Sequence, residues 1–164
     1  MRRLLAAMLI AGSQAALAVE AGAPAPEIAG PRLDAPGQSI SLSSFKGKVV
    51  YVDFWASWCA PCRISFPVLD SLYRGDQSRG LVVIGVNKDV TVADAKKFLA
   101  KLPVSFPLVG DAGDAAARAF DVKTMPSGYL VDRKGVVRKV HRGFTPETGA
   151  AIREEIDALL KEPS

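Results

Sequence analysis

The sequence predicts an α/β fold, with a mixed central sheet flanked by helices and an added N-terminal β-hairpin. Two stretches, KVVYVDFW (48–55) and LVVIGV (81–86), are rich in β-branched and aromatic residues and almost wholly apolar, as expected of central strands. A stretch with helical spacing of apolar residues comes after each of them. The 164 residues, 49% apolar and 23% charged, are enough for one globular domain.

The first eighteen residues have the features of an export signal. A positive start (MRR), a short apolar run (LLAAMLIA) and a small-x-small cleavage site (ALA) follow one another. We therefore expect residues 1–18 to be a cleaved signal peptide and residues 19–164 to form a single domain, with a flexible lead-in at 19–30. The protein is then periplasmic, or membrane-anchored if the signal is not cleaved; a mitochondrial presequence is the alternative.

The first half of the domain alternates strand and helix signals. SISLSSF (39–45) alternates apolar and polar residues and predicts a half-buried strand of the added hairpin. After the first central strand, CAPCRISFPVLDSLYRG predicts a helix that is kinked at Pro67 and ends at Gly75. The apolar positions expected on its buried face are Ile64, Phe66, Val68, Leu69 and Leu72.

The second half continues the alternation. The expected elements are an amphipathic helix in VTVADAKKFLAKL (90–102), a short extended piece in VSFPLVGD (104–111) and a short helix in GDAAARAFDV (113–122). GYLVD (128–132) and VVRKVHRG (136–143) then predict an antiparallel hairpin with a tight RKG turn. His141, near the end of the second strand, is expected at the surface.

The last helix is predicted over TPETGAAIREEIDALLKE (145–162). Thr145 is expected to cap it through its side chain, and Pro146 suits the first helical position. Its expected buried face consists of Ile152, Ile156, Leu159 and Leu160.

The charge pattern argues against nucleic-acid binding. The net charge is +4, and without Arg2 and Arg3 it falls to +2, with 19 basic against 17 acidic side chains. The remaining basic residues are scattered along the chain, whereas a nucleic-acid binder concentrates them on one face.

The only two cysteines, Cys59 and Cys62, lie in WCAPC at the predicted start of a helix. The free amide N–H groups and positive dipole end of that helix favour the thiolate of Cys59, which is the attacking species in disulfide exchange. Pro61 stiffens the turn at a position where its missing N–H costs nothing. Cys62, one turn further, can attack the resulting mixed disulfide, so the pattern indicates redox chemistry.

Other uses of the pair remain open at this point. A purely structural disulfide would close a very small loop and contribute only about 2 kcal/mol. A zinc site would need four ligands, and His141 is the only histidine. A copper(I) chaperone is possible because two thiolates suit that ion, although Met125 is the only methionine outside the predicted signal.

Asp53 is an acidic residue inside a strand that is otherwise apolar on both faces. Burial would raise the pKa of this carboxyl towards the range in which it can exchange a proton with Cys62. The alternative is an aspartate at a strand end that reaches solvent or a backbone N–H.

VDFWASWCAPC, followed about sixty residues later by TMPSGYLVDRKG, resembles the thioredoxin superfamily. The preceding LSSFKGKVVYVDFW and the export signal are similar to its TlpA/ResA-like branch of exported thiol–disulfide oxidoreductases, which includes the DsbE/CcmG type. The resemblance covers roughly residues 25–160 and implies a thioredoxin fold.

The resemblance also implies a set of site residues. Pro126 matches a cis-proline that lies opposite the cysteines and exposes the backbone of Met125 to an extended substrate strand. Trp58 and Pro61, beside Cys59, complete the predicted substrate-binding set. Redox catalysis is then assigned to the cysteine pair, with Asp53 as its proton acceptor.

The function implied is reduction of disulfides in exported proteins, such as apocytochrome c, by a monomer recharged by a membrane thiol reductant of the DsbD/CcdA type. No organic cofactor or metal is expected, because the cysteine pair carries the two electrons. A disulfide donor with the same fold and a copper(I)-binding chaperone are the alternatives. A peroxidase of the same superfamily is disfavoured, because Trp55 to Trp58 fill the positions that its Pro and Thr would occupy.

Two positions depart from the family pattern. Ser65 stands where many TlpA/ResA-like proteins carry a glutamate three residues after the second cysteine. Gly85 is expected where thioredoxin places a lysine beside the buried aspartate, so Asp53 is predicted to lack that partner.

Overall fold

A computed structural model describes residues 19–163, so the predicted signal peptide, residues 1–18, lies outside the described residues. The predicted α/β fold with a mixed sheet is confirmed. In chain order the elements are β1 Ala29–Pro31, β2 Ser39–Ser41, β3 Val49–Trp55, α1 Cys62–Asp76, β4 Leu81–Asn87, α2 Val92–Leu99, β5 Leu108–Gly110, α3 Ala115–Ala119, β6 Ser127–Val131, β7 Val137–Arg142 and α4 Pro146–Lys161.

The five-stranded sheet has the order β5-β4-β3-β6-β7. β3 pairs in parallel with β4 and antiparallel with β6, and each of its seven residues is buried. This burial on both faces explains why the strand is apolar at nearly every position. β3 is therefore the central strand of the sheet. The loop that follows it starts at the middle of the side on which the C-terminal end of β3 lies.

The two faces of the sheet carry separate apolar cores. On one face, Phe66 from α1, Phe98 from α2 and Ile156 from α4 pack against the odd-numbered residues of β3. On the other face, the even-numbered residues of β3 pack against α3 and the N-terminal extension. Because side chains alternate along a strand, the residue parity in β3 decides which core each side chain enters.

The added N-terminal hairpin is confirmed, because β1 pairs antiparallel with β2. The predicted strand over 39–45 is wrong beyond Ser41, where residues 42–45 form a 3₁₀ turn. The Ser44 hydroxyl donates a 2.6 Å hydrogen bond to the Ser41 carbonyl, and such local bonds compete with strand pairing.

The N-terminal extension touches both outer strands of the sheet. Arg32 forms a bridge with Val109 in β5, and Pro24 forms one with Val136 just before β7. The stretch predicted as a lead-in, residues 19–30, is anchored by these contacts and by the Gly22 N–H, which donates to a β7 carbonyl at 2.7 Å.

The helices lie where the sequence predicts them, with small differences at their ends. α1 continues past Gly75 by one residue, and Ile64, expected on its buried face, is 55% exposed. The other apolar positions of α1 are sufficient to fill the core, so Ile64 faces solvent. Thr145 caps α4 by accepting a hydrogen bond from the Thr148 N–H, as predicted. None of the helices in residues 19–163 combines the length and apolar character needed to cross a bilayer.

Candidate active site

Cys59 and Cys62 are joined by a disulfide bond at the N-terminal end of α1. The loop that carries Cys59 comes directly after β3, so the pair lies at the middle of the sheet edge. The Cys62 N–H donates a 3.3 Å hydrogen bond to Cys59 Sγ. When the bond is reduced, the helix terminus can therefore stabilise negative charge on Cys59.

In the disulfide form only 3% of Cys59 is accessible to solvent. Its side chain packs in the core cluster that also contains Cys62 and Phe66. The neighbouring Trp58 is 67% exposed, and Pro61 precedes the first residue of α1. Beside the buried sulfur of Cys59, Trp58 therefore presents an exposed aromatic surface.

The structure brings Met125 and Pro126 to the same end of the sheet as the disulfide. The bond between them is cis, as the resemblance implies. Pro126 immediately precedes Ser127, which pairs with Phe54 near the end of β3. Met125 packs against the cluster that contains the cysteines. Met125 and Trp58 also line one groove of about 560 Å³.

Asp53 lies near the middle of β3, on the face of the sheet that carries the disulfide. Tyr51 and Trp55, two residues before and after it, pack in the same core cluster as the disulfide, and side chains two apart on a strand share a face. The Asp53 side chain is buried, and its Oδ2 has no hydrogen-bond partner. Burial without a partner disfavours the charged form, which raises the pKa of Asp53 well above its ordinary value.

Two glycines flank Asp53, Gly85 on β4 and Gly128 on β6. The prediction that Gly85 stands beside Asp53 is confirmed. A Cβ at Gly85 would lie 2.7 Å from Leu108 Cδ2 and 3.2 Å from Trp55 Nε1. A longer side chain there would displace the core, so this position cannot supply a charged partner to Asp53 without rearrangement.

A polar network that the sequence analysis missed holds the loop before the cysteines. Asp89, after β4, accepts hydrogen bonds from the Ser57 N–H at 3.1 Å and the Ser57 hydroxyl at 2.9 Å. The Asn87 side-chain amide donates to Asp89 at 2.9 Å. Polar residues at the carboxyl end of a parallel strand commonly belong to a site, and the NKD sequence after the second central strand carried that signal.

The expectation that His141 lies at the surface is wrong. Its side chain is only 13% exposed, and its Nε2 lies 2.9 Å from a Glu155 carboxylate oxygen. The Tyr51 hydroxyl lies 3.4 Å from His141 Nδ1. His141 pairs with Gly128 on β6. Because Gly128 has no side chain, the Tyr51 side chain can reach across it to His141.

Comparison with known proteins agrees with this arrangement. The family model described as Redoxin matches residues 20–160. The chain belongs to the Redoxin family. Within the thioredoxin superfamily its relatives are of the TlpA/ResA-like kind, which confirms the resemblance drawn from the WCAPC and TMPSG motifs.

Three relatives of this Redoxin-family chain illustrate the match. Thiol-disulfide oxidoreductase ResA from Geobacillus thermodenitrificans (strain NG80-2) is 32% identical over 144 residues, which cover 88% of this chain and 78% of the relative. A crystal structure described as a thiol:disulfide interchange protein DsbE from Chlorobium tepidum has a TM-score of 0.83 at 39% identity, covering 87% of this chain and 99% of that one. A secreted thiol-disulfide isomerase from Corynebacterium glutamicum has a TM-score of 0.74 at 26% identity, covering 84% and 85%.

This Redoxin-family protein is therefore a thiol–disulfide oxidoreductase that exchanges electrons with thiol-containing substrates and redox partners. Ser65 is buried in it, and its hydroxyl donates to the Cys62 carbonyl at 3.3 Å. In residues 19–163, no three side chains among His, Cys, Asp and Glu converge as metal ligands would.

Proposed function

We propose that this protein is a reductant: its dithiol form reduces disulfides in exported proteins, apocytochrome c among them. In this cycle Cys59 attacks the substrate disulfide, Cys62 resolves the mixed disulfide, and Asp53 accepts the Cys62 proton. Oxidation of the pair is followed by recharging from a membrane thiol reductant of the DsbD/CcdA type. The protein works as a periplasmic monomer after removal of residues 1–18, or stays membrane-anchored if they are retained.

The observation that carries the direction of electron flow is the unpartnered carboxyl of Asp53 on the disulfide face of the sheet. A pair becomes oxidising when its reduced form, with a Cys thiolate, is strongly stabilised. Here an ionised Asp53 would repel that thiolate, and Gly85 and Gly128 provide no cation to offset it. The nearby Arg63 is engaged elsewhere, since its guanidinium lies 5.1 Å from the Phe98 ring centroid. The dithiol is therefore favoured as an electron donor.

The groove beside the disulfide supports an extended polypeptide as substrate. It is bordered by the exposed indole of Trp58, by Met125 and by the exposed Val90 and Val92. An apolar wall next to a reactive sulfur suits an unfolded cysteine-bearing segment better than a small polar thiol. The family resemblance adds that the Met125 backbone pairs with such a segment.

Export is supported by two independent observations. Residues 1–18 have the order of positive, apolar and small residues typical of a signal peptide. A similar structure is that of a protein described as secreted. An oxidising compartment is also where the substrate's own disulfides would form and need reduction.

The reduction potential of the Cys59–Cys62 pair tests the proposal. The protein is equilibrated with graded ratios of reduced and oxidised dithiothreitol, and the dithiol fraction is counted by alkylation and mass spectrometry. We expect a value at or below about −270 mV, that of thioredoxin. A value near −120 mV, that of a strong disulfide donor, would reverse the proposed direction.

Matched variants sharpen this test. Asp53→Asn removes the repulsion of the thiolate, so its potential is expected to be less negative than that of the wild type. Asp70→Asn, at a buried carboxylate paired with Arg74 at 2.8 Å on the far part of α1, is expected to leave the potential unchanged. A pair that fails to cycle in wild-type protein would contradict the redox function, and metal content after copper loading would then be measured.

A further inference from the structure

Three polar side chains form a line across the sheet on the face that carries Asp53. Tyr51 is buried in β3, His141 is largely buried in β7, and Glu155 on α4 is 23% exposed. The Tyr51 hydroxyl lies 3.4 Å from His141 Nδ1, and His141 Nε2 lies 2.9 Å from Glu155 Oε2. Their order runs from the centre of the sheet towards its outer edge.

Strand register brings the inner end of this line to Asp53. Gly128 pairs with Asp53 on one side and with His141 on the other. The Tyr51 hydroxyl lies over Gly128, only 1.9 Å from the position that a Cβ would take there. Facing Cβ positions in antiparallel strands are about 5 Å apart, so the hydroxyl lies near the Asp53 carboxyl. Asp53 Oδ2 has no hydrogen-bond partner, so a proton would pass between the two groups through one bridging water.

The outer end of the line reaches solvent. Glu155 and Lys139 both line an open surface groove of about 410 Å³ between β7 and α4. The Lys139 ammonium lies 3.4 Å from the other carboxylate oxygen of Glu155. Water in this groove can reach the exposed part of the Glu155 carboxylate, although Oε2, the oxygen facing His141, is buried. Asp53 is only 2% exposed.

We propose that Tyr51, His141 and Glu155 form a proton path between Asp53 and solvent, and that the path is used in both halves of the redox cycle. The proposal rests on the proposed function, in which Asp53 accepts the proton of Cys62. The path would let Asp53 exchange this proton with solvent while the disulfide is intact, before the recharging step returns a proton to Cys62.

In the substrate half of the cycle, each proton and electron pair has a defined destination. Cys62 gives its proton to the Asp53 carboxylate, and its sulfur attacks Cys59, forming the internal disulfide while the bond to substrate breaks. The electron pair leaves on the substrate sulfur, which takes a proton from solvent. Asp53 then passes its proton through a bridging water to the Tyr51 oxygen as Tyr51 gives its own to His141, and the far nitrogen of His141 releases a proton to Glu155 and water.

The recharging half of the cycle runs the path in reverse. When the external reductant cleaves the Cys59–Cys62 bond, Cys62 leaves as a thiolate and needs a proton. That proton enters at Glu155 and reaches Cys62 through His141, Tyr51 and Asp53. Each half-cycle therefore restores the imidazole tautomer that the other half-cycle changed.

The charges around the path fit this role. Burial raises the pKa of Tyr51 well above its ordinary value, so the phenol stays neutral and only relays protons. Burial lowers the pKa of His141, while the Glu155 carboxylate opposes this change and Lys139 adds to it. A neutral imidazole with its proton on Nε2 leaves a lone pair on Nδ1 to accept from Tyr51. Glu155 Oε2 lies 2.9 Å from Nε2 but forms no hydrogen bond in this structure, so a small realignment of the ring precedes transfer to it.

Tyr51→Phe tests the path by removing the hydroxyl and keeping the ring. The reduced variant is mixed with glutathione disulfide, and the step that releases glutathione is measured by stopped flow between pH 5 and pH 9. We expect this step to slow by about a hundredfold, at the lower end of the range for a lost proton transfer, and its pH profile to change. Tyr129→Phe is the matched control, because its buried hydroxyl donates to the Phe120 carbonyl on the opposite face at 2.9 Å.

The outcomes separate the path from the function on which it rests. If wild type fails to reduce glutathione disulfide, the proposed function is contradicted. If wild type reacts and Asp53→Asn is slow, while Tyr51→Phe keeps the wild-type rate and pH profile, only the path is wrong. Glu155→Gln, at the partly exposed end, is expected to slow the same step and decides the question if Tyr51→Phe does not fold.

Discussion

Replacing Asp53 by asparagine is expected to stabilise the oxidised protein at neutral and alkaline pH. The substitution keeps the shape of the side chain and removes its ability to ionise. Asp53 is buried, and its Oδ2 lacks a hydrogen-bond partner. The folded state therefore disfavours the carboxylate, whereas the unfolded chain leaves it fully hydrated.

The sign and size of the effect depend on that difference. Because the pKa of Asp53 is raised in the folded state, any stability from the protonated group is complete below the unfolded pKa of about 3.9 and is lost as the pH rises through the folded pKa. The variant does not suffer this loss. An unsatisfied buried polar group costs about 1–3 kcal/mol, so the variant is expected to be more stable by about this amount. In a domain of this size each kcal/mol raises the Tm by about 2–4 °C.

Urea unfolding of the oxidised protein at pH 4 and pH 8 measures the effect. The free energies of unfolding of wild type and Asp53→Asn should be similar at pH 4, and the variant should be more stable at pH 8. Asp70→Asn is the control: it should lower the free energy of unfolding, because Asp70 pairs with Arg74 and accepts a hydrogen bond from the Ser105 N–H. A difference between wild type and Asp53→Asn that does not change with pH would refute the reasoning.

Three further substitutions have outcomes that the geometry predicts. Cys62→Ser is expected to trap Cys59 in mixed disulfides with substrate proteins, seen as reducible adducts by mass spectrometry, and an absence of adducts would contradict the order of attack. Gly128→Ala should lower the free energy of unfolding by about 1–3 kcal/mol, because the new methyl group would meet the Tyr51 hydroxyl; urea unfolding equal to wild type would show that Tyr51 lies elsewhere. Trp58→Ala, at a 67% exposed side chain, should change stability by less than about 0.5 kcal/mol and slow reduction of insulin disulfides more than that of glutathione disulfide; an equal effect on both would contradict a polypeptide-binding role.

The parts of the fold that the sequence predicted are those with strong local signals. The central strands were evident from their apolar runs, and the redox pair from two cysteines at a helix start. The pairing of Asp53 with Gly85 was expected from the resemblance to thioredoxin. The first two inferences use residues that are close in sequence or fixed by a repeating period.

The parts that were missed depend on contacts between distant segments. His141 is not part of an apolar period, and its burial arises because β7 pairs with β6 beneath α4. Tyr51 is one apolar position among several in its strand, although its hydroxyl reaches across Gly128 to a second strand. Ile64 shows the converse, since helical periodicity alone does not say how wide the buried stripe is.

The N-terminal extension also protects the outer strands of the sheet. Unpaired outer strands of a sheet are templates on which other polypeptides can add, and this leads to aggregation. Arg32 and Leu33 form backbone contacts with β5, and residues 22–25 form them around the start of β7. The extension thus covers β5 and the start of β7, which leaves less free strand edge on which another polypeptide could add.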